Sequence, residues 1–280
     1  MDALNEQVDK GIQILKQGGV IAFPTDTVYG LGADAFNSNA VKRIYDIKKR
    51  PTHLPLPLLI GDIKQLDILA EPLSEIALFL ARRFWPGGLT LVVPKVARLP
   101  GYLGNTSIAV RIPAHPVCLA LIQAINNPLI GTSANISGRP SALTAGEVKQ
   151  QLGSEVDLII DGGRCPGGGE STVVDVTGGE VVILRQGIIP GKEIKRAVEE
   201  SGALHPHPST SSDEGNSPSP SLSRQGRGII HPHPSTSSGE GNSPLPSPSR
   251  QGRGIAKNVL PGKYGGRELE GGGKEPCELL

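Results

Sequence analysis

The sequence has few of the features that mark exported, membrane-spanning or zinc-binding proteins. Its three cysteines, Cys118, Cys165 and Cys277, are widely spaced and odd in number, so they indicate neither a disulfide framework nor a Cys-x-x-Cys zinc site. No apolar run approaches the roughly 18 residues of a membrane span, and the first residues include acids but no hydrophobic signal core. We therefore expect a cytoplasmic protein without a membrane partner.

An excess of charge of either sign is also missing, because 28 Lys and Arg residues stand against 27 Asp and Glu residues. The formal net charge at pH 7 is +1. Net charge therefore gives no reason to expect a polyanion as the partner.

The C-terminal part of the sequence has too few apolar residues to build a core. Residues 205–230 and 231–256 are tandem copies, rich in Pro, Ser and Gly, that agree at 22 of 26 positions. Such a segment cannot offset the entropy lost on ordering, so we predict that residues 205–256 are disordered. We expect the Gly-rich residues 257–280 to be disordered as well.

Residues 1–204 alternate between helical and strand patterns. Helices are predicted over residues 4–17, 38–49, 73–84, 115–125 and 144–152, with a closing helix within 188–204. Strands are predicted at residues 20–23, 57–60, 89–93, 107–112, 128–131 and 157–160. Two β-branched runs around Gly178 and Gly179 predict a hairpin over residues 172–184. We therefore predict one α/β domain over residues 1–204, with a mixed sheet rather than a doubly wound parallel one.

Polar clusters recur where these elements end. They are PTDTVYGLG (24–32), KKRP (48–51), TSANISGRPS (132–141), STVVD (171–175) and RQG (185–187). Hydroxyls and glycine-exposed amides suit phosphate or carboxylate oxygens, so one anion-binding pocket could collect all five clusters. Taken singly, the cations at 48–50 could instead complement the dipole of their helix, and TSANISG could be an ordinary turn.

The sequence offers no evident general base or nucleophile. His53 and His115 have no Ser, Cys or Asp partner at a telling spacing, and Cys118 lies on an apolar helix. We interpret all three as structural. The chemistry would therefore be positional and electrostatic.

Taken in order, the polar clusters give the most specific signal. Together with WPGGLT (85–90) and IAVRIP (108–113), they resemble the YrdC-like family of threonylcarbamoyl-AMP synthases over most of residues 10–190. The Lys-x-Arg and Ser-x-Asn motifs of that family are matched by Lys48-Lys49-Arg50 and Ser133-Ala134-Asn135. The resemblance implies a twisted, mixed and largely antiparallel α/β fold with helices around the sheet and a deep positive cavity.

The resemblance also implies an activity. The family makes threonylcarbamoyl-AMP and pyrophosphate from L-threonine, bicarbonate and ATP, for threonylcarbamoyladenosine modification of tRNA. Such a nucleotidyltransferase would supply a downstream tRNA threonylcarbamoyl transferase machinery, and contact with tRNA or double-stranded RNA is a further expectation. Mg²⁺ is expected to accompany ATP, although no Asp pair identifies its ligands.

Roles for individual residues follow from the same resemblance. Lys48 and Arg50 would be the catalytic cations that neutralise phosphate oxygens, and Arg111 would pair with the carboxylate of threonine. Further residues on the threonine and bicarbonate side would be Thr27, Ser133 and Ser171. Further residues on the ATP side would be Ser107, Asn135, Ser141 and Arg185. Asp26 and Leu54 are assigned no role.

Longer members of the family carry a second, C-terminal domain where this sequence has its repeat, so we expect a short form with a single catalytic domain. Three alternative interpretations stay open. The chain could be a paralogue of the same fold that binds double-stranded RNA, or a nucleotide binder without catalysis. It could also be related to hydrogenase-maturation carbamoyltransferases, whose Cys-x-x-Cys motifs and acylphosphatase-like region are missing here.

Overall fold

The computed structural model describes residues 3–204, so the predictions for residues 205–256 and 257–280 lie outside the described residues. The α-helices in this part of the chain are α1 (Ala3–Lys16), α2 (Ser38–Lys48), α3 (Glu75–Phe84), α4 (Pro116–Ile125), α5 (Ala145–Leu152) and α6 (Gly191–Leu204). Short 3-10 helices lie at Ile63–Ile68, Gly101–Leu103 and Gly153–Glu155. None of the helices within residues 3–204 combines the length and apolar composition that crossing a membrane requires.

The strands are short. They are β1 (Ile21–Phe23), β2 (Gly30–Gly32), β3 (Leu58–Leu59), β4 (Leu89–Pro94), β5 (Ser107–Arg111), β6 (Leu129–Ile130), β7 (Thr132–Ser133), β8 (Leu158–Ile159), β9 (Thr172–Asp175) and β10 (Val182–Arg185). All six strands predicted outside the hairpin are present, and the hairpin forms as β9 and β10.

Local capping explains where the helices begin. The side chains of Asn37, Ser74 and Thr144 each accept a hydrogen bond from a backbone N–H in the first turn of α2, α3 and α5. Helix α4 begins instead with Pro116 at its first position, where proline costs no hydrogen bond. The predicted helices are confirmed, and α1 to α5 agree with their predicted bounds within two residues at either end.

The strands form two mixed sheets. The first has the order β7-β2-β1-β8 and the second the order β10-β9-β4-β5-β3-β6. Among the described strands, five of the eight neighbouring pairs are antiparallel and three are parallel. The prediction of a mixed, largely antiparallel α/β fold is therefore confirmed.

Two strands, β2 and β7, are not predictable from the sequence pattern. Strand β2 pairs with β1 on one side and with β7 on the other. Close packing explains its glycines, because a Cβ atom on Gly32 would lie 2.3 Å from the carbonyl oxygen of Ile130. The pairing places the PTDTVYGLG and TSANISGRPS segments side by side.

Successive side chains along the strands of the second sheet point to opposite faces, one toward the hydrophobic core and the other toward the site. Leu91, Val110 and Val174 point into the main hydrophobic core. Thr90, Arg111 and Val173, on the opposite face of β4, β5 and β9, line a cavity instead. A second apolar cluster packs α1 and α4 against β1 and contains the fully buried Cys118, so its interpretation as a core residue is confirmed.

A candidate anion-binding active site

A cavity of about 310 Å³ opens where elements of both sheets end. Every one of the five polar clusters contributes to its lining. The predicted site residues among the lining are Thr27, Lys48, Arg50, Arg111, Ser133, Asn135, Ser171 and Arg185. The fold therefore gathers into one site segments that are far apart in the sequence.

The cavity is strongly cationic although the whole chain is nearly neutral. Its basic lining residues are Lys48, Arg50, Arg111, Arg139 and Arg185, and Glu170 is the only carboxylate among the described lining residues. The lining residues are thus mostly basic, whereas the depth that the resemblance implies for the cavity stays a prediction. Such a site attracts phosphate and carboxylate groups by a local field rather than by net charge.

Lys48 is a buried residue of the cavity lining, with 2% of its surface exposed. It is the last residue of α2, and the next residue, Lys49, takes a left-handed conformation with φ of 51°. The Lys48 Nζ donates to Ser133 O at 2.5 Å, to Asn135 O at 2.9 Å and to Asn135 Oδ1 at 3.1 Å. Burial and the charge of Arg50 lower the pKa of Lys48 to about 7. The charge of Glu170 opposes this shift. The three oxygen acceptors also favour the protonated ammonium, because only that form has three N–H donors.

Arg50 is held less completely. Its Nε donates to Leu54 O at 3.3 Å and its Nη2 to Pro55 O at 3.2 Å, while Nη1 has no partner among the described residues. Burial lowers the pKa of Arg50, but a guanidinium remains protonated at any physiological pH. Arg50 therefore offers free N–H donors to a ligand.

Arg111 is oriented by three contacts from the protein. Its Nη1 donates to Thr27 Oγ1 at 2.8 Å, its Nε to Gly87 O at 2.9 Å, and its Nη2 to Asp26 Oδ1 at 2.5 Å. The same Asp26 oxygen accepts the N–H of Ala114 at 3.0 Å. The sequence analysis assigns no role to Asp26, and its position directly before Thr27 is the signal that could have indicated one.

A second ion pair also lines the cavity. The Arg185 Nη1 is 2.6 Å from Glu170 Oε2, and Ser141 Oγ donates to the other oxygen of the same carboxylate. Arg185 Nη2 also donates to the oxygens of Ser171, whose hydroxyl lies 2.8 Å from Thr90 Oγ1. Burial lowers the pKa of Arg185, and Glu170 opposes that effect. Glu170 is a further site residue that the sequence analysis missed.

Two predicted site residues are not among the cavity lining. Ser107 begins β5, pairs with Pro94 and lies at the opposite end of that strand from Arg111. Ser141 lies one hydrogen bond away, behind Glu170. Neither serine is therefore part of the cavity lining, and Ser141 is linked to it through Glu170. The roles of all the predicted site residues stay predictions.

Tyr29 supports the cavity wall from the core. It is fully buried, and its hydroxyl donates to Gly163 O at 2.8 Å and accepts the N–H of Gly162. Burial raises the pKa of Tyr29 to about 12, so the phenol stays protonated as a donor. The contact holds the Gly-rich loop that leads to Glu170.

The other candidate groups lie outside the cavity. His53 is exposed, and His115, whose pKa is lowered by burial, has a buried Nδ1 without a partner among residues 3–204. The described residues contain no cluster of three His, Cys, Asp or Glu side chains that could hold a metal. Because Glu170 is already paired with Arg185, the lining does not fit a protein-held Mg²⁺ site.

Comparison with known proteins identifies the family. The model named Sua5_yciO_yrdC, described as telomere recombination, matches residues 13–187. The chain belongs to the Sua5/YciO/YrdC family. The matched range includes all of the predicted site residues.

Two relatives in this family show how far the similarity extends. The chain is 45% identical over 194 residues to the threonylcarbamoyl-AMP synthase of Pyrococcus abyssi, covering 69% of this chain and 57% of the relative. It is 42% identical over 202 residues to the threonylcarbamoyl-AMP synthase of Bacillus subtilis, covering 71% of this chain and 58% of that relative. The chain therefore spans somewhat more than half the length of these two relatives.

A solved structure in the family shares the fold. The crystal structure of P. abyssi Sua5 complexed with L-threonine matches with a TM-score of 0.67 and 44% identity. The match covers 69% of this chain and 57% of that chain.

Proposed function

We propose that the chain is a threonylcarbamoyl-AMP synthase, a nucleotidyltransferase that joins L-threonine, bicarbonate and the AMP part of ATP and releases pyrophosphate. The observation that carries the proposal is that one cavity is lined both by the oriented guanidinium of Arg111 and by Arg50, which has free N–H donors. The relatives with this name and the Sua5 complex with L-threonine support it.

The threonine carboxylate is assigned to Arg111. A guanidinium has five N–H donors, and Thr27, Gly87 and Asp26 take one each. One N–H on each Nη atom remains, which suits a carboxylate that accepts two hydrogen bonds. Asp26 and Thr27 hold the guanidinium in place before the substrate arrives, which lowers the entropy cost of binding.

The phosphates are assigned to the other arginines of the cavity lining. The neutral amine of threonine forms a C–N bond to the carbon of bicarbonate, and the amine proton leaves with the bicarbonate hydroxide as water. The resulting N-carboxylate attacks the α-phosphorus of ATP, and the bond to pyrophosphate breaks. Negative charge builds up on both the attacking and the leaving side. Arg50, Arg139 and Arg185 line the cavity and can balance this charge, and a well-placed donor of this kind typically contributes about 3–4 kcal/mol to the transition state. No residue of the described lining needs to act as a nucleophile.

Magnesium remains a prediction attached to ATP. The triphosphate itself supplies the oxygen ligands that Mg²⁺ prefers, so a cation can enter with the substrate without a site built by the protein. Supply of the product to tRNA threonylcarbamoyl transferases and a cytoplasmic location are likewise part of this proposal.

The alternative of double-stranded RNA binding fits the cavity less well. A volume of about 310 Å³ is the size of a small-molecule pocket, whereas an RNA duplex is recognised across an extended surface. The gathered cations of the described residues face this small pocket. Small anionic substrates are therefore the better match.

One assay tests the proposal. Purified full-length chain is incubated with ATP, Mg²⁺ and bicarbonate, with and without L-threonine, while pyrophosphate release and threonylcarbamoyl-AMP are measured. We expect release that depends on threonine, and loss of that release in Arg50→Ala but not in Arg98→Ala, whose side chain contacts Asp67 O outside the cavity. Release without threonine, or RNA binding without any release, would reject the proposal.

A further inference from the structure

We infer that Lys48 is a positioning residue that holds the loop of residues 133–139, and that Arg139, rather than Lys48, joins Arg50 in binding the phosphates. The inference rests on the proposed function. It changes the role that the resemblance implies for Lys48.

The first argument is that Lys48 has no N–H donor left for a ligand. An ammonium group has three donors, and the three contacts to Ser133 O, Asn135 O and Asn135 Oδ1 use all of them. To reach a phosphate, Lys48 would have to leave at least one of these oxygens without its donor inside the protein. An unpaired buried oxygen is unfavourable, so the lysine stays with the loop.

The second argument is that the same loop is tied to Lys48 through its backbone as well. The N–H of Ser137 donates to Lys48 O at 2.9 Å. Helix α2 therefore holds the loop from two sides, by the side chain and by the main chain of its last residue. These contacts set the position of Asn135, whose amide group is the next link.

The Asn135 side chain links Lys48 to the backbone of Arg139. Its Oδ1 accepts from Lys48, and its Nδ2 donates to Arg139 O at 2.5 Å. Both ends of the Asn135 amide thus contact the protein. The turn between them includes Gly138 with φ of 82°, and it is closed by a bond from Arg139 N to Ile136 O. Lys48 thereby fixes the backbone from which the Arg139 side chain extends.

Arg139 has the properties of a ligand-binding cation. It lines the cavity, and its side chain has no hydrogen bond or ion pair within the described part of the chain. Arg111 and Arg185, in contrast, are each paired with a carboxylate. A planar guanidinium with all donors free suits the two oxygens of a phosphate group. Arg50 and Arg139 are therefore the two cavity arginines best able to bind the nucleotide.

Hydrogen exchange tests the positioning role without requiring activity. Deuterium uptake of the peptide covering residues 131–140 is compared in the wild type, Lys48→Met and Arg50→Met. We expect faster uptake in Lys48→Met, because the bonds that hold the loop are lost, and unchanged uptake in Arg50→Met. Unchanged uptake in Lys48→Met would overturn the proposal, since the loop would not depend on the lysine.

A double-mutant cycle tests the link to Arg139. Lys48→Met and Arg139→Ala are each expected to raise the ATP concentration needed for half-maximal pyrophosphate release by about tenfold or more. If Lys48 acts through Arg139, the double variant loses clearly less than the product of the two single losses. Additive losses would mean that Lys48 contacts the nucleotide itself, and would overturn the proposal.

Asn135→Ala provides a second route if Lys48→Met does not fold. This variant leaves the lysine in place but cuts its link to Arg139. We expect faster uptake in residues 131–140 of this variant. Uptake unchanged from the wild type would overturn the proposal, because the loop would then not depend on the contact between Lys48 and Asn135. If the proposed function is wrong, the wild type will show no threonine-dependent pyrophosphate release. The hydrogen-exchange experiment does not depend on activity, so it still tests the positioning role of Lys48 in that case.

Discussion

The carboxylate of Asp26 lies 2.5 Å from the guanidinium of Arg111, so the group assigned to the threonine carboxylate already holds a carboxylate of the protein. Both side chains are largely buried, and Asp26 is itself fixed by the N–H of Ala114. A buried ion pair of this kind loses little entropy when a ligand arrives, because its geometry is set in advance. Asp26 therefore orients the guanidinium, and the remaining N–H donors of Arg111 are left to bind the threonine carboxylate.

Removing the guanidinium should affect threonine more than ATP. We expect Arg111→Ala to raise the threonine concentration for half-maximal activity at least about tenfold, as the loss of charged hydrogen bonds predicts, and that for ATP by less than about twofold. Arg98→Ala is the matched control, because the Arg98 side chain donates to Asp67 O and is not part of the cavity lining. Equal increases for both substrates would place Arg111 elsewhere in the reaction.

The Gly-rich loop should tolerate a methyl group at one glycine and not at another. A Cβ atom on Gly167 would lie 2.5 Å from Asp26 O and 2.9 Å from Thr27 Cα, whereas one on Gly169 would meet only Ile188 Cγ2 at 3.4 Å. We expect Gly167→Ala to lower the free energy of unfolding by about 1–3 kcal/mol and to weaken threonine binding. Urea unfolding and threonine titration measure both effects. A variant Gly167→Ala as stable and active as Gly169→Ala would contradict the packing argument.

Substitution of the two serines outside the cavity lining should affect the ATP requirement to different extents. Ser107→Ala is expected to leave the ATP requirement within about twofold of the wild type, because Ser107 lies at the far end of β5. Ser141→Ala removes a hydrogen bond to the Glu170 carboxylate that orients Arg185, and we expect it to raise the ATP requirement severalfold. Steady-state kinetics with ATP as the varied substrate decides between them. A large effect of Ser107→Ala would support the role implied by the resemblance.

The free energy of unfolding should depend on pH through the carboxylate of Asp157. Its carboxylate forms two hydrogen bonds with Arg43 and accepts the N–H of Val20, and Arg43 lowers the pKa of Asp157 below its ordinary value. The contribution is fully present above the unfolded pKa of about 3.9 and is lost as pH falls through the lower folded value. We expect Asp157→Asn to be less stable than the wild type at pH 7.

Urea unfolding between pH 7 and pH 3 checks the sign of this effect. The stability difference between the wild type and Asp157→Asn should shrink as the pH falls below about 4. In an Arg43→Met background the same pH dependence should largely disappear, because the main cause of the pKa shift is gone. A difference that grows on acidification would show that the carboxylate destabilises the fold.

Elements with a local signal are predictable from the sequence. Helix α2 begins at the Asn37 cap and is predicted within one residue, because capping and apolar periodicity act over a few neighbouring residues. Strand β2 has no such signal, since a Gly-Leu-Gly segment has little intrinsic strand preference. It forms because β1 and β7 lie on either side of it and supply its hydrogen bonds.

By itself, the sequence determined which cations and hydroxyls are available and that they follow the ends of helices and strands, where a pocket can collect them. Only the tertiary structure decided which of them are free. It pairs Arg111 with Asp26 and surrounds Lys48 with three oxygens. It leaves the Arg139 side chain without a partner among residues 3–204, and Ser107 is not part of the cavity lining. The physical reason is that a hydrogen bond depends on distances of about 3 Å. Arg111 and Asp26, like Ser133 and Lys48, are 85 residues apart in the chain, where no local pattern records such a distance.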